Sequence, residues 1–306
     1  MTGIRIGIAL GSGAARGWAH IGILRELRRL GLEPDIVCGT SIGAMVGAAY
    51  AGGTLNALEH KARTLTKLRL TGLFDFQFSH GGILAGRRLS QFIEEVVGDS
   101  LIEDLPKRFA GVGTDLDSGT EVWLHTGRTV EAVRASCALP GLIPAVLRDG
   151  RWLLDGALVN PVPVSVCRAM GADLVIAVNL NADVLEPVRS QEQEEADQTA
   201  LGKWMANLPG ADFFRQVSSH QKDEPSILTV MTQAMNIVQD RICRSRLAGD
   251  PPDVLLTPRL GDIGILQFDR ADECIRRGVE SVDQVRPTVD RLLSRLNRTG
   301  REPGLQ

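Results

Sequence analysis

Gly39-Thr40-Ser41-Ile42-Gly43 sets a serine between two glycines at the spacing of a nucleophile elbow. A serine raised on a sharp strand-to-helix turn takes an unfavourable backbone conformation, and its neighbours two residues away have to be small. The flanks fit that context. Asp35-Ile36-Val37-Cys38 reads as a strand and Ala44 to Tyr50 as a helix. Such a serine is suited to acyl transfer, which also needs a base and an oxyanion hole at close range. Gly11-Ser12-Gly13-Ala14 is the candidate hole. A loop that leaves one strand and opens a helix presents free backbone N–H groups, and small residues let the oxyanion come close. The N-terminus of the helix behind Ser41 adds its positive end to the same point.

The base is harder to find. In α/β-hydrolases the order is serine, acid, histidine, so a histidine is expected late in the chain. Past residue 80 only His125 and His220 remain. The first follows a strand without an acid in an obvious partner position, and the second sits in the polar run Ser218 to Asp223, poor ground for a preorganised base. His20, on the first helix, reads as structural. Asp155-Gly156-Ala157, at the end of a strand, offers a carboxylate instead. An ordinary Asp titrates near ~3.9, too low for an ideal base at neutral pH, but partial burial raises that value.

The elements that must position these groups follow from hydropathy patterning. Ile4 to Leu10 reads as a buried first strand, Gly11 to Gly17 as a loop and Trp18 to Leu30 as a helix closed by Gly31. Ile21, Leu24, Leu27 and Leu30 fall on one face of that helix and Arg25, Arg28 and Arg29 towards the other. With the elbow strand and helix next, the alternation argues for a sheet with parallel strands and helices packed on it. Further helices are expected over 54–70, Arg88 to Val97, about 226–247 and about 269–297. Strands are expected at Ala110 to Thr114, Glu121 to Leu124, Trp152 to Asp155, Leu174 to Val178 and Val254 to Thr257. Leu73 to Leu84 is rich in Phe and Gly. Residues 186–223 form a polar, partly acidic excursion that reads as disordered or lid-like within one domain spanning 1–306.

Composition narrows the function classes. The 306 residues are 43% hydrophobic and 23% charged, as in an ordinary soluble globular protein, and a net charge of −3 with 4% aromatics gives no argument for nucleic acid. No segment reads as a secretory signal or reaches the length needed to span a bilayer. The five cysteines, at 38, 137, 167, 243 and 274, are odd in number and lack C-x-x-C spacing, so they read as buried thiols in a reducing, cytoplasmic compartment. Neither a metal set nor a cofactor motif is expected.

Four stretches in order carry a resemblance: Leu10 to Gly17, Gly39 to Gly43, Arg134-Ala135-Ser136-Cys137-Ala138-Leu139-Pro140-Gly141, and Asp155-Gly156-Ala157. Together they resemble the patatin-like phospholipases, and most of all the short bacterial, neuropathy-target-esterase-like branch of RssA type. The likeness runs from about residue 4 to 180 and resumes near Ala248 to Asp253. It implies a three-layer α/β/α hydrolase with a central, mostly parallel sheet and a Ser–Asp dyad without a catalytic histidine. Ser41 is then the nucleophile, Asp155 the base, and Gly11, Ser12, Gly13 and Ala14 the oxyanion loop, with Arg16 and Gly17 supporting it and Gly39 and Gly43 shaping the elbow. Ser12 and Ala14 stand where glycines are common in the family. Backbone N–H donors survive that change, while a Cβ at 14 narrows the hole.

The resemblance further implies a lipid or acyl-ester substrate, phospholipids and lysophospholipids included. It also implies peripheral contact with the inner face of a membrane, and leaves open whether the chain forms a homodimer. Two other readings remain. One is a catalytically weak scaffolding or regulatory protein on the same fold. The other takes Gly11-x-Gly13-x-x-x-Gly17 as a dinucleotide loop of an oxidoreductase, but the second strand ends in Cys38, Gly39 and Thr40 where a ribose-binding acid is needed.

Overall fold

A computed structural model describes residues 4–65, 83–140, 143–184 and 227–298. In chain order the elements are β1 (Ile6–Leu10), α1 (Ala19–Arg29), β2 (Ile36–Thr40), α2 (Ile42–Ala51), α3 (Leu55–Thr64) and α4 (Ile83–Val97). Then come β3 (Arg108–Asp115), β4 (Glu121–Leu124), α5 (Thr129–Ser136), β5 (Val146–Arg148), β6 (Arg151–Asp155), α6 (Val164–Ala169) and β7 (Leu174–Val178). The described chain closes with α7 (Ile227–Gly249), β8 (Val254–Leu256), α8 (Ala271–Gln284) and α9 (Arg286–Arg298).

All eight strands join one sheet. β1 lies between β2 and β7, and β2–β3 and β7–β8 continue the parallel set outward. Every residue of β1, β2 and β7 is buried, the continuous apolar reading of strands covered on both faces. Their side chains alternate between two cores. Ile6, Ile8 and Leu10 join Val37, Ile176 and Val178 beneath α1 and α2, whereas Ala9, Ile36, Cys38, Val175 and Ala177 join Val166, Cys167 and Cys243 beneath α6 and α7. The architecture is therefore helix, mostly parallel sheet, helix, in line with the α/β/α expectation.

The far side of the sheet sets the geometry of the site. Gly111 pairs with both Gly39 of β2 and Leu124 of β4, and Gly113 pairs with both Val122 of β4 and Asp155 of β6. A strand residue has two ladder edges, so β4 occupies one edge of β3 while β2 and β6 share the other. β2 runs parallel to β3 and ends with Thr40 opposite Val112. β6 runs antiparallel and ends with Asp155 opposite Gly113. The ends of the two strands thus meet head to head, and the residue after Thr40 is Ser41.

The structure departs from the sequence reading in three respects. The expected C-terminal helix is two helices, α8 and α9, parted at Val285. Pro287, in the first turn of α9, has no N–H to continue α8 and is tolerated where such a donor is unpaired. α5, β5 and α6 are short segments that the patterning does not announce. The helix expected over 54–70 ends at Thr64 within the described residues. The excursion at 186–223, with His220, and most of Leu73 to Leu84 lie outside the described residues.

α8 packs on α1 at very close range. A Cβ built on Gly22 would lie 2.0 Å from the Ile275 carbonyl oxygen, and one on Gly278 would lie 2.2 Å from that of Ala19. Only glycine fits at both crossing points. Gly278→Val is expected to destabilise the protein by about 1–3 kcal/mol or more through overpacking, read as a fall in the urea midpoint. Gly249→Ala, with open space around the new methyl, leaves the midpoint nearly unchanged.

Candidate active site

Ser41 has φ 58° and ψ −124°, a backbone conformation that L-residues rarely adopt. The glycines around it are sterically obligatory. A Cβ on Gly39 would meet the Gly43 carbonyl oxygen at 2.3 Å, and one on Gly43 would meet that of Leu10 at 2.1 Å. The turn feeds directly into α2, whose ten residues are all buried. An apolar helix of this kind belongs in a core and holds the elbow from behind.

Ser41 Oγ donates to Asp155 Oδ2 at 2.6 Å. The other carboxylate oxygen, Oδ1, accepts from the Ala157 N–H at 2.8 Å. The main chain of Asp155 is fixed as well: its N–H donates to Ala138 O at 2.9 Å, and its carbonyl accepts from Thr114 Oγ1 at 2.8 Å. Gly156 has to be glycine, because a Cβ there would lie 2.3 Å from Val112 O. Asp155 is 1% exposed. Burial pushes its pKa up to about 6, against the opposing pull of the Ser41 hydroxyl and the Ala157 N–H. A carboxyl at about 6 is ionised roughly ten to one at pH 7 and still holds a proton far better than an ordinary aspartate.

A residue that sequence reasoning did not single out holds the main chain of Ser41. Ser136, fully buried at the end of α5, accepts the Ser41 N–H at 2.9 Å and donates to Val112 O at 2.6 Å. It therefore ties the elbow to β3 at the point where β2 and β6 meet. Its place inside the Arg134 to Gly141 motif is the one signal that marks it, since a buried serine has no periodicity to announce it.

The glycine-rich loop divides into two parts. The Gly11 N–H donates to Val178 O at 3.1 Å and the Ser12 N–H to Pro161 O at 2.9 Å, so both are occupied. The Gly13 and Ala14 N–H groups have no acceptor among the described residues. Ala14 sits at φ 49° and lines the same cavity as Ser41. Arg16 is fully buried, with Nε donating to Ile263 O at 2.8 Å and Nη1 to Asn181 Oδ1 at 3.0 Å. Asn181 Nδ2 in turn donates to Ser12 O at 3.2 Å. Arg16 thus braces the loop. Gly17 lies against Ile42, whose side chain a Cβ would strike at 2.1 Å. His20 hydrogen-bonds Gly11 O through Nε2 at 2.8 Å, and burial lowers its pKa to about 4, so a neutral imidazole supports the loop rather than contacting the dyad. His125 is exposed.

Beside Ser41 opens a cavity walled by Trp18, Ile42, Met45, Leu89, Phe92 and Phe268. Trp18 and Phe268 stand edge to face, 5.9 Å between centroids, and Trp18 Nε1 donates to Phe268 O at 3.2 Å. The lining is apolar except at Ser41, so a hydrocarbon chain would be desolvated with its head at the hydroxyl. No group of metal-binding side chains occurs among the described residues, and none of their helices is long and apolar enough to cross a membrane.

The raised pKa carries a stability consequence. An aspartate titrating near 3.8 when unfolded and about 6 when folded gives a contribution present in full below pH 3.8 and lost as pH rises through 6. Asn cannot titrate. The stability of Asp155→Asn relative to the parent is therefore expected to rise between pH 4 and pH 8, by up to about 3 kcal/mol. Thermal melts of both proteins across that range check it, and parallel curves would contradict the buried carboxylate.

Comparison with known proteins adds the following. The patatin-like phospholipase family matches residues 8–168. Uncharacterized NTE family proteins of Mycobacterium tuberculosis and Mycobacterium bovis are 31% identical, with 90% of this chain and 89% of theirs covered. Human patatin-like phospholipase domain-containing protein 6 is 32% identical over 66% of this chain, which is 14% of that much longer protein. Among solved structures, VipD from Legionella pneumophila aligns with a TM-score of 0.46 and 12% identity over 94% of this chain and 67% of that one.

Proposed function

The chain belongs to the patatin-like phospholipase family, in its NTE-like branch, and on that premise we propose that it is a serine esterase cleaving acyl esters of phospholipids or lysophospholipids through a Ser41–Asp155 dyad. Family membership supports lipid hydrolysis in general. The observation that carries the finer reading is the 2.6 Å bond from Ser41 Oγ to a buried carboxylate whose pKa lies at about 6.

In this reading Asp155 Oδ2 takes the proton of Ser41 Oγ as that oxygen attacks the ester carbonyl. The developing oxyanion is held by the N–H groups of Gly13 and Ala14, the two loop donors left without an acceptor among the described residues. Collapse of the tetrahedral intermediate breaks the ester C–O bond, and the proton on Asp155 passes to the leaving alcohol. The acyl chain, now esterified to Ser41, lies along the Trp18–Phe268 wall. Water then attacks the acyl-enzyme, with Asp155 again taking the proton and returning it to Ser41. Ser136 contributes by fixing the strained main chain of the nucleophile.

A lipid substrate also requires approach to a bilayer. Leu147 and Trp152 face each other across the β5–β6 pair, 57% and 46% exposed, and the Leu116 N–H donates to Trp152 O, with Leu116 49% exposed. An apolar, tryptophan-bearing edge on the strand that ends in Asp155 supports peripheral membrane contact.

A fluorophosphonate probe is expected to label the parent protein and not Ser41→Ala. Asp155→Asn loses esterase turnover by at least ~10³-fold, and Ser136→Ala lowers kcat by about tenfold or more. In the parent, kcat/KM rises with pH through an apparent pKa near the Asp155 value of about 6. Labelling that persists in Ser41→Ala, or full turnover by Asp155→Asn on a lysophospholipid panel read by mass spectrometry, would overturn the assignment. In a separate test, Leu147→Ser with Trp152→Ser should reduce cosedimentation with anionic vesicles while leaving turnover of a short, monomeric ester intact.

A further inference from the structure

A second cleft lies at the opposite end of the sheet from Ser41. Its walls come from the last turns of α1, the loop entering β2, the end of α2, the start of α3 and the residue before β3. It offers about 570 Å³, within the range of small-molecule sites. Four cations line it, Arg25, Arg28, Arg29 and Lys107, against one lining acid, Glu33.

The cations are held in place. Arg25 Nη1 donates to Glu59 Oε1 at 2.8 Å and Nη2 to Asn56 Oδ1 at 3.0 Å. Arg29 Nε donates to Glu26 Oε2 at 2.8 Å. Glu26 and Glu59 are both buried, so they orient their arginines from beneath. Arg28 meets Glu33 at 3.0 Å, and Lys107 donates to Pro34 O at 3.0 Å. A guanidinium has five N–H donors and an ammonium three, so each of these groups keeps donors for a ligand.

The floor of the cleft gives an independent sign. Tyr50, near the end of α2, is only 8% exposed, and its hydroxyl is buried with no partner among the described residues. The Lys107 ammonium stands 5.4 Å from the ring centroid. Burial pushes the phenol pKa up, so the group stays protonated and can donate. A buried donor without an acceptor costs stability, which a bound oxygen restores when the ligand displaces the side chains that seal the hydroxyl from the cleft. Leu55 and Asn56, which also line the cleft, carry the first two N–H groups of the ten-residue helix α3, which have no intrahelical partner. Four cations stand against Glu33, which pairs with both Arg28 and Lys107, and the buried Glu26 and Glu59. The one net positive charge with many donors fits a group with anionic oxygens.

We propose that this cleft binds the phosphoryl group of a small phosphorylated molecule of about nucleotide size, with Tyr50 Oη, Arg25, Arg28 and Lys107 as donors. A concave site with its key donor buried excludes a flat surface as the occupant. The ligand would grip the far end of α2, whose first turn carries the elbow, about 15 Å away at 1.5 Å per residue. The proposal does not depend on the hydrolase reading.

Titration calorimetry on the full chain tests it, with AMP, ATP, inorganic phosphate and adenosine as probes at low and physiological salt. Saturable binding of the phosphorylated probes and none of adenosine is expected. Tighter binding of AMP or ATP than of inorganic phosphate would mark an organic phosphate as the ligand, and equal binding the free ion. Tyr50→Phe should weaken binding about tenfold, while the melting temperature of the free protein holds or rises, because the unpaired hydroxyl is gone. Arg28→Ala with Lys107→Ala should weaken it at least as much. Failure of every phosphorylated probe to saturate, or binding indifferent to both variants, overturns the proposal.

Discussion

The site depends on one register. Thr40 pairs with Val112 and Asp155 with Gly113, so two strands of opposite direction abut on the same edge of β3. Slide β6 by one residue and Asp155 turns to the other face of the sheet, because side chains alternate with every step. The remaining polar contacts hold this junction: Thr114 and Ala138 grip the Asp155 main chain, Ser136 spans from Ser41 to Val112, and Thr40 Oγ1 donates to Asn160 O at 2.8 Å. β3 serves as the ruler on which Ser41 and Asp155 are both measured.

That junction is maintained against local preference. Ser41 and Ala14 hold positive φ without being glycine, and Asp155 is buried with a single N–H and a single hydroxyl on its carboxylate. Each departure costs on the order of one to a few kcal/mol. They survive because the surroundings over-determine them: a fully buried helix behind the elbow, Gly17, Gly39, Gly43 and Gly156 at van der Waals limits, and Arg16 beneath the loop. The strain at Ser41 and Ala14 and the buried Asp155 carboxylate lie together at one junction, the kind of local departure expected at a functional site.

Legibility in the sequence follows range. The elbow is readable because its steric demand falls on residues two apart, and β1, β2 and β7 because strands covered on both faces are apolar throughout. Asp155 is readable by type and by its place at a strand end, but its distance to Ser41 depends on pairings with β3 that no local pattern encodes. Ser136 is hidden for the same reason, as its partners are 95 and 24 residues away. The division of the glycine-rich loop into occupied and open N–H groups is set by Val178 and Pro161, far along the chain. α5, β5 and α6 are too short to build a period. The break between α8 and α9 is marked by Pro287, yet the apolar stripe runs on through it and masks the boundary.

The bracing of the loop also fixes an order of events. The Ser41–Asp155 pair is complete by residue 157, but the supports of the loop come later: Asn181, then Ile263, which receives Arg16, Ile265, which accepts the Ala15 N–H at 3.2 Å, and Phe268, which receives Trp18. α8 then locks α1 through Gly278. A chain made from its N-terminus onward carries Ser41 and Asp155 long before it carries the clamp that sets the glycine-rich loop. These braces come from residues between Asn181 and Gly278, so a chain still short of them holds Ser41 and Asp155 without the braced loop beside them.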